Sequence, residues 1–316
     1  MRRRNLLQTI VALAAAHAVT AKAQAVMRLI VPTAAGSGAD AVARALAHEL
    51  IVAGRLTVVE NIVGAAGVIG TSKLAQSTKD GRVLGLISAN HTVNPIVLGK
   101  VPFDPINDVT PVVLIGAIAL VLVVSPRLKV RTFAEFVEWS RSNKGAGTEG
   151  YTPGTVIHLA SAVMKDAAGI AATTVPYKSS GQMVTDLLAG QIDFSLLPLP
   201  AVVSSVQAGQ LVPLAVTTRQ RVDALPEVPA WGELGLKAET VDAWMMVAGP
   251  GALAPSVVVD RRREFETALQ AAELQKTLAM QGVVPMSVGP NELKELMRRD
   301  MLRNARLADK LKIQAP

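Results

Sequence analysis

A glycine-containing loop near the start of the chain has the composition of an anion-binding site. Residues 29–32 form an apolar run that predicts a strand, and the spacing of apolar side chains through residues 41–50 predicts a helix. The loop between them directs free backbone N–H groups and the positive end of the helix dipole at one point. A carboxylate suits such donors because it accepts several N–H groups without needing an arginine.

We expect this loop to hold an anion through its amides and hydroxyls, with Asp40 organising the first turn of the helix. The candidate ligand-binding residues of the loop are Thr33, Ala34, Ala35, Gly36, Ser37, Gly38 and Asp40. A glycine turn with a purely structural role is the alternative.

Nucleotide binding is disfavoured by the spacing of the glycines. The third glycine of a dinucleotide fingerprint is missing after Gly36 and Gly38, and the Gly-Lys-Ser/Thr sequence of a P-loop is absent. A second glycine-rich turn, residues 64–70, also lacks the fingerprint spacing. Its small residues favour close packing of a helix on a sheet over a phosphate site. No cofactor is therefore expected.

Catalytic chemistry has no residue set in this sequence. The chain contains no cysteine and no Gly-x-Ser-x-Gly sequence, which excludes a thiolate nucleophile and the usual hydrolase elbow. His48 and Glu49 begin like a zinc-protease helix, but Val52 stands where the second histidine would be. We expect no catalytic residues, no metal site and no enzymatic activity.

The N-terminal residues have the pattern of an export signal. A basic start at residues 2–4 precedes an apolar stretch at 6–19 and small residues ending at Ala25. We expect a cleaved signal peptide over residues 1–25, export through the Sec or Tat route, and a periplasmic location. A retained anchor helix is the alternative, although the apolar stretch is short for a membrane span.

Charge gives no indication of a nucleic-acid partner. Loss of the four basic residues in the signal lowers the formal net charge from +7 to +3. The densest remaining basic run, residues 261–263, has no aromatic neighbours and no groove-reading motif, which is typical of a solvated helix face. Nucleic acid is excluded from the expected partners.

Apolar strand-like runs alternate with helical patterns along the rest of the chain. This alternation predicts an α/β fold with largely parallel sheets, and runs that are apolar on both faces predict strands covered by helices on both sides. About 290 residues remain after the signal, a length that fits two domains better than one.

Short stretches of characteristic sequence follow one another from Arg28 almost to the C-terminus. They are residues 58–61, 64–67, 103–105, 108–111, 158–160, 175–178, 186–193, 208–210, 214–217, 225–229 and 233–235. Together with residues 29–40 they resemble the Bug/TctC family, the periplasmic solute-binding receptors of tripartite tricarboxylate transporters.

The resemblance implies a type II periplasmic-binding-protein fold, in which two α/β domains surround a ligand cleft and are joined by two crossover segments. We expect residues 26–122 and 246–316 to form domain 1 and residues 123–245 to form domain 2, with the C-terminal helices packed on domain 1. The implied function is capture of a small organic carboxylate by hinge closure and its delivery to the membrane subunits of a tripartite tricarboxylate-type transporter. A monomer is expected.

The resemblance also implies further cleft residues in four more segments. These candidates are Ser88, Asn90, His91, Tyr151, Thr152, Gly154, Thr155, Tyr177, Lys178 and Asp193. A core-facing position at a strand end is the alternative for Tyr177, and a structural role is the favoured interpretation for His158. Tyr151 and Thr152 stand where the family usually has smaller residues, which indicates a ligand that differs from a citrate-like one.

Two other functions stay open on the sequence. The same fold could report a ligand to a membrane signalling partner instead of supplying a transporter, and the sequence does not separate these roles. A secreted α/β enzyme is the third hypothesis, and it is disfavoured because no nucleophile–base pair or metal set is present.

Overall fold

The computed structural model describes residues 26–143, 147–236, 239, 241–286 and 288–313. The predicted export signal, residues 1–25, lies outside the described residues. The strands are β1 (Met27–Val31), β2 (Thr57–Asn61), β3 (Val83–Ser88), β4 (Val109–Ile118), β5 (Leu120–Val124), β6 (Thr148–Tyr151), β7 (Thr173–Pro176), β8 (Phe194–Pro198), β9 (Val212–Val216), β10 (Trp244–Pro250) and β11 (Val283–Val284).

Helices separate most of these strands. They are α1 (Gly38–Val52), α2 (Val68–Ala75), α3 (Asn90–Val97), α4 (Phe133–Ser142), α5 (Val156–Ala168), α6 (Ser180–Leu188), α7 (Leu199–Gln207), α8 (Pro255–Leu269), α9 (Ala272–Met280) and α10 (Leu293–Lys310). Across the described residues, no helix combines the length and the apolarity that a membrane crossing needs.

The strands form two mixed sheets. The first has the order β11-β4-β10-β3-β1-β2 and the second the order β7-β6-β8-β5-β9. In the first sheet β1 is parallel to β2 and β3, whereas β10 runs antiparallel to β3 and β4. In the second, β6 is parallel to β7 and β8, and β5 is antiparallel to β8 and β9. The α/β class expected from the alternating pattern is confirmed, but the expectation of largely parallel sheets is wrong, because five of the nine strand pairs among the described residues are antiparallel.

We call the first sheet with its helices the first lobe and the second sheet with its helices the second lobe. The chain leaves the first sheet after Ile118, enters the second at Leu120, and returns at Trp244. The expected domain limits at 122/123 and 245/246 therefore fall inside β5 and β10. The apolar run continues from β4 into β5 without a break in composition, so the sequence does not mark Ala119 as the point of change.

The parallel strands bring functional loops of both lobes to one place. Loops that follow β1, β2 and β3 leave from the carboxyl edge of the first sheet, and those that follow β6 and β8 leave from the carboxyl edge of the second. Open α/β sheets bind ligands at this edge.

The C-terminal helix α10 is fixed to the first lobe by a buried polar contact. The indole Nε1 of Trp244, at the start of β10, donates to the carboxylate of Asp300 at 2.6 Å, and Arg303 pairs with the same carboxylate at 3.0 Å. Burial raises the pKa of Asp300, although its bonds to Arg303 and Trp244 oppose the shift. The next turn of the helix supplies Asn304, whose amide donates to Thr92 of α3 at 3.3 Å. These bonds and the apolar face of α10 place the helix on the first lobe, as expected from the family resemblance.

Close packing of α2 on the loop after β1 depends on Gly70. A Cβ atom at Gly70 would lie 2.6 Å from the carbonyl oxygen of Ile62 and 3.0 Å from Cα of Pro32. Both neighbours are backbone atoms, which cannot move aside as a side chain could. The glycines at 64–70 thus allow close helix–sheet packing, in line with the interpretation made from the sequence.

We predict that Gly70→Ala lowers the free energy of unfolding by about 1–3 kcal/mol, the usual cost of overpacking. Gly181→Ala is the matched control, because Gly181 is also helical and has no atom within 4 Å of its Cβ position. That control is expected to be neutral or to stabilise by up to about 1 kcal/mol through higher helix propensity. Urea unfolding of both variants measures the difference, and equal stabilities would contradict the packing role of Gly70.

Candidate ligand-binding cleft

The two lobes meet at the loops that follow their parallel strands. At the end of β3, Oδ1 of Asn90 accepts the backbone N–H of Val156, the first residue of α5, at 2.8 Å. A methyl group on Gly154, in the loop after β6, would overlap Leu98 of the first lobe. At the end of β1, the Cβ position of Gly38 lies 3.8 Å from Cγ of Pro200, in the first turn of α7. The carboxyl ends of β1 and β3 therefore face those of β8 and β6 across one cleft.

The loop after β1, residues 33–38, is closed by its own side chains. Ser37 is the N-cap of α1, and its hydroxyl accepts the amide of Asp40 at 3.3 Å. The hydroxyls of Thr33 and Ser37 lie 2.9 Å apart in a hydrogen bond. Gly36 has a φ of +80°, a left-handed conformation that favours glycine. We call this loop, with Asp40, the cradle.

Asp40 organises the cradle from the inside. Its carboxylate is buried and accepts the amide of Gly36, the side chain of Asn61 and the guanidinium of Arg44, each at 2.9 Å. Burial raises the pKa of Asp40, but the bonds from Arg44, Gly36 and Asn61 outweigh it and leave the pKa below its ordinary value. Because both oxygens already have donors, Asp40 is placed to shape the loop and not to touch a ligand.

Backbone donors stay free at the mouth of the cradle. Within the described residues, the amides of Gly38 and Ala39, in the first turn of α1, donate to no oxygen. The backbone before them, Ala34 to Gly36, is exposed. Free amides at the positive end of a helix dipole suit a negative oxygen, which is the chemistry expected of this loop.

The opposing wall carries Tyr151 and His158. Their rings lie 4.6 Å apart between centroids and are tilted by 48°. Burial, with the charge of Lys165, lowers the pKa of His158 to about 4, so the imidazole is neutral near pH 7. The phenol oxygen of Tyr151 bonds to none of the described residues, which leaves it available for a ligand. The ring of His158 thus packs against the ring of Tyr151.

The start of α5 is held by the turn before it. The Thr155 hydroxyl caps the helix by accepting the amide of His158 at 3.3 Å, and it donates to the carbonyl oxygen of Thr152 at 2.8 Å. Oδ1 of Asn90 accepts the backbone N–H of Val156, as described above. Ser88, at the end of β3, is half-buried and lies beside Met245 of β10 on the same edge.

A buried ion pair that the sequence analysis missed fixes α5 on β6. The carboxylate of Glu149, which is buried, bonds to both the Ser161 hydroxyl and the Lys165 ammonium. Residues 158, 161 and 165 occupy one face of α5, and residues 149 and 151 one face of β6. The pair therefore orients the same helix face that carries His158 toward Tyr151.

His91 and Asp193 lie outside the cleft, which corrects the expectation for both. The His91 ring is buried, stacks on Phe103 with centroids 5.6 Å apart, and bonds through Nε2 to the carbonyl oxygen of Pro105 at 2.6 Å. Burial lowers its pKa to about 4. Asp193 bonds to Arg127 and to Thr148, where β6 begins. Thr148 lies at the amino edge of the second sheet. Tyr151, at the cleft edge, is three positions further along the strand, a distance of about 10 Å at 3.3 Å per strand residue.

Tyr177 occupies the alternative position given above, at a strand end that faces the second-lobe core. Its hydroxyl donates to the carboxylate of Asp186, and its ring lies next to Gly150. Burial, together with the bond to Asp186, raises the pKa of Tyr177 to about 12. Lys178 is exposed beyond the edge strand β7. Of the two tyrosines, Tyr151 therefore stays the candidate for a ligand contact.

Metal ligation has no support in the geometry of the described chain, in which no group of three His, Asp or Glu side chains is placed to hold an ion. The cleft residues that the sequence analysis missed are Leu98, Pro200 and Gln281. Their places at the contact between the lobes arise from segments far apart in the chain, so no local signal marked them.

We predict that Asp40→Asn lowers the free energy of unfolding by about 1.5–3 kcal/mol at pH 7, the range for hydrogen bonds to a charged group. The folded-state pKa of Asp40 lies below its unfolded value near 3.8. Its contribution is therefore fully present above that pH and is lost as the pH falls through the folded pKa. Urea unfolding at pH 7 and pH 3 is expected to give a smaller difference between wild type and variant at pH 3.

The control for Asp40 is Asp80→Asn, which removes a surface ion pair with Arg82. It is expected to change stability by less than about 0.5 kcal/mol at either pH. A difference for Asp40→Asn that stays the same at pH 3 would contradict the role given to its ionised form.

We predict that Asn90→Ala shifts the lobes toward a more open arrangement. Loss of one hydrogen bond of about 1 kcal/mol lowers the ratio of closed to open molecules about fivefold. Because the chain has no cysteine, spin labels attached through Lys73→Cys and Arg141→Cys, exposed on the first and second lobes, report the distance directly. Asn107→Ala, an exposed asparagine of the first lobe, is the control, and an unchanged distance distribution in Asn90→Ala would refute the interlobe role.

The chain matches known proteins over nearly its whole length. Residues 40–313 match the family model TctC, described as the tripartite tricarboxylate transporter family receptor. Protein BugT of Bordetella pertussis is 31% identical over 281 residues, which cover 88% of this chain and 86% of BugT.

Solved structures agree with the sequence match. A structure described as a periplasmic transporter is 31% identical, with a TM-score of 0.82, and the match covers 92% of this chain and 98% of that one. The R. palustris protein Rpa4515 with adipate is 26% identical, with a TM-score of 0.81 and the same coverage. The two-lobed α/β fold is thus the fold of these periplasmic binding proteins, and the resemblance drawn from the sequence is confirmed. The chain belongs to the TctC/Bug family of periplasmic solute-binding receptors.

Proposed function

We propose that this protein binds a small organic carboxylate between its lobes and delivers it to a tripartite tricarboxylate-type membrane transporter. The observation that carries the proposal is the cradle, which ends in the free amides of Gly38 and Ala39 and at Gly38 lies next to Pro200 of the second lobe. The one charged group of the cradle, Asp40, is paired with Arg44 of α1 and does not offer a competing charge.

The amide donors and the helix dipole suit a carboxylate in particular. The N-terminus of α1 acts as roughly half a positive charge, and its N–H groups stabilise an anion without a counter-ion. On the other side, the Tyr151 ring offers apolar area and one directional hydroxyl. A ligand with a carboxylate at one end and a chain that packs on Tyr151 fits both walls. The related protein with adipate, a linear dicarboxylate, supports this class of ligand.

Binding is coupled to hinge closure in this proposal. The carboxylate first meets the cradle of the first lobe, and the Tyr151 loop of the second lobe then covers it. Ligand contacts to both lobes favour the closed arrangement in proportion to the difference in affinity between the two states. Asn90 adds an interlobe bond that forms only when the lobes are together. The pivot is the crossover at Ala119 with the return segment before Trp244.

Delivery to a transporter and residence in the periplasm complete the proposal. The family consists of receptors for tripartite tricarboxylate transporters, and the pattern of residues 1–25 is that of an export signal. The closed pair of lobes presents a different surface from the open pair, which is the property a membrane subunit needs to recognise the loaded receptor.

We predict that carboxylates raise the thermal midpoint of the protein lacking residues 1–25. At 100 times its Kd, a ligand stabilises the folded state by about 2.7 kcal/mol. The panel contains mono- and dicarboxylates, including adipate, each beside its neutral amide. A carboxylate is expected to stabilise where its amide does not. If no carboxylate shifts the midpoint, or if acid and amide act equally, the proposal fails.

A further inference from the structure

Gln281 occupies the junction between the lobes. It directly follows α9, and its backbone N–H donates to the carbonyl oxygen of Thr277 at 2.9 Å. Its neighbour Gly282 accepts the amide of Ala119 at 2.9 Å, and the Ala119 carbonyl accepts the amide of Leu199 at 2.9 Å. The backbone at Gln281 is therefore tied to the crossover and, through it, to the start of α7.

The side chain of Gln281 reaches the cradle. Its Oε1 lies 2.8 Å from the position that a Cβ of Gly38 would take. Cγ of Pro200 lies 3.8 Å from the same position. The side chain is half-buried, and its carboxamide bonds to none of the other described residues. A polar group with one donor and one acceptor end thus stands beside the free amides of α1.

We propose that Gln281 is a specificity-determining residue of the cleft: its unpaired carboxamide, whose Oε1 faces Gly38, turns about its last side-chain bond so that Nε2 donates a hydrogen bond to the ligand's carboxylate. The inference rests on the proposed function, because it assigns a contact to that same site. A carboxamide recognises an anion without adding charge, and it discriminates against ligands that lack an acceptor. It complements the cradle, whose own charged side chains are already paired.

Substitutions of opposite charge test this contact, with adipate as the probe and calorimetry as the measurement. Gln281→Ala is expected to weaken adipate binding about tenfold, the effect of one hydrogen bond to a charged group. Gln281→Glu is expected to weaken it about 100-fold, because a second carboxylate repels the ligand. Gln281→Lys is expected to stay within about threefold of wild type. If Gln281 had only a structural role, Gln281→Glu and Gln281→Lys would weaken adipate binding to the same extent.

Matched variants at Gln210, an exposed glutamine in the turn after α7, are the controls and are expected to bind adipate as wild type does. Equal binding by wild type, Gln281→Ala and Gln281→Glu would overturn the inference alone. Absence of binding by wild type, both to adipate and to the wider carboxylate panel, would overturn the proposed function and this inference together.

A double-mutant cycle gives an independent measurement. Gly38→Ala places a methyl group against the Gln281 carboxamide and is expected to weaken adipate binding in the wild-type background. In the Gln281→Ala background the space is free, so the added loss is expected to be at least threefold smaller. If the double variant loses adipate affinity by the product of the two single fold-losses, the two residues do not act on the same ligand group. That result would overturn the inference.

Discussion

The arrangement of the two lobes depends on the hydrogen bonds of one residue. Ala119 is fully buried, donates to Gly282 of the first lobe, and accepts from Leu199 of the second. It is also the single residue between β4 and β5, so the direction of the chain at this point fixes how one sheet is oriented against the other. This connection, with the return segment before Trp244 and the bond from Val156 to Asn90, holds the carboxyl edges of both sheets toward each other.

Asp40 shows how a charged residue can organise a loop whose exposed groups carry no charge. Its carboxylate accepts hydrogen bonds from Gly36, Asn61 and Arg44, and the next amides, of Gly38 and Ala39, donate to none of the described residues. The second lobe follows the same logic with different residues. The buried carboxylate of Glu149 is paired with Lys165, and the contacting rings of Tyr151 and His158 lie on the same side of β6. Charge is thus kept inside each lobe, and the cleft retains amides, hydroxyls and aromatic surface.

Local sequence patterns predicted the helices, the strands and the loop that forms the cradle. They did not predict at which edge of a sheet a residue lies. The strand, loop and helix around Ser37 follow from hydrophobic spacing and capping, which act within a few residues. Asp193 and Tyr177 lie in characteristic stretches too, yet one is at the amino edge of the second sheet and the other turns to Asp186. Gln281 could not have been found this way, because its proximity to Gly38 arises from contacts between segments more than 200 residues apart in the chain.

The position of β10 in the first sheet has a consequence for the order of folding. This strand lies between β3 and β4, yet the chain forms the whole second lobe before reaching it. The second sheet is complete once β9 has been made, whereas the first sheet has a gap at its centre until residues 244–250 are available. Long-range pairing of this kind is slow, because loop closure costs entropy before the contact forms. The anion cradle is encoded near the start of the chain, but the sheet that supports it becomes continuous only near the end of synthesis.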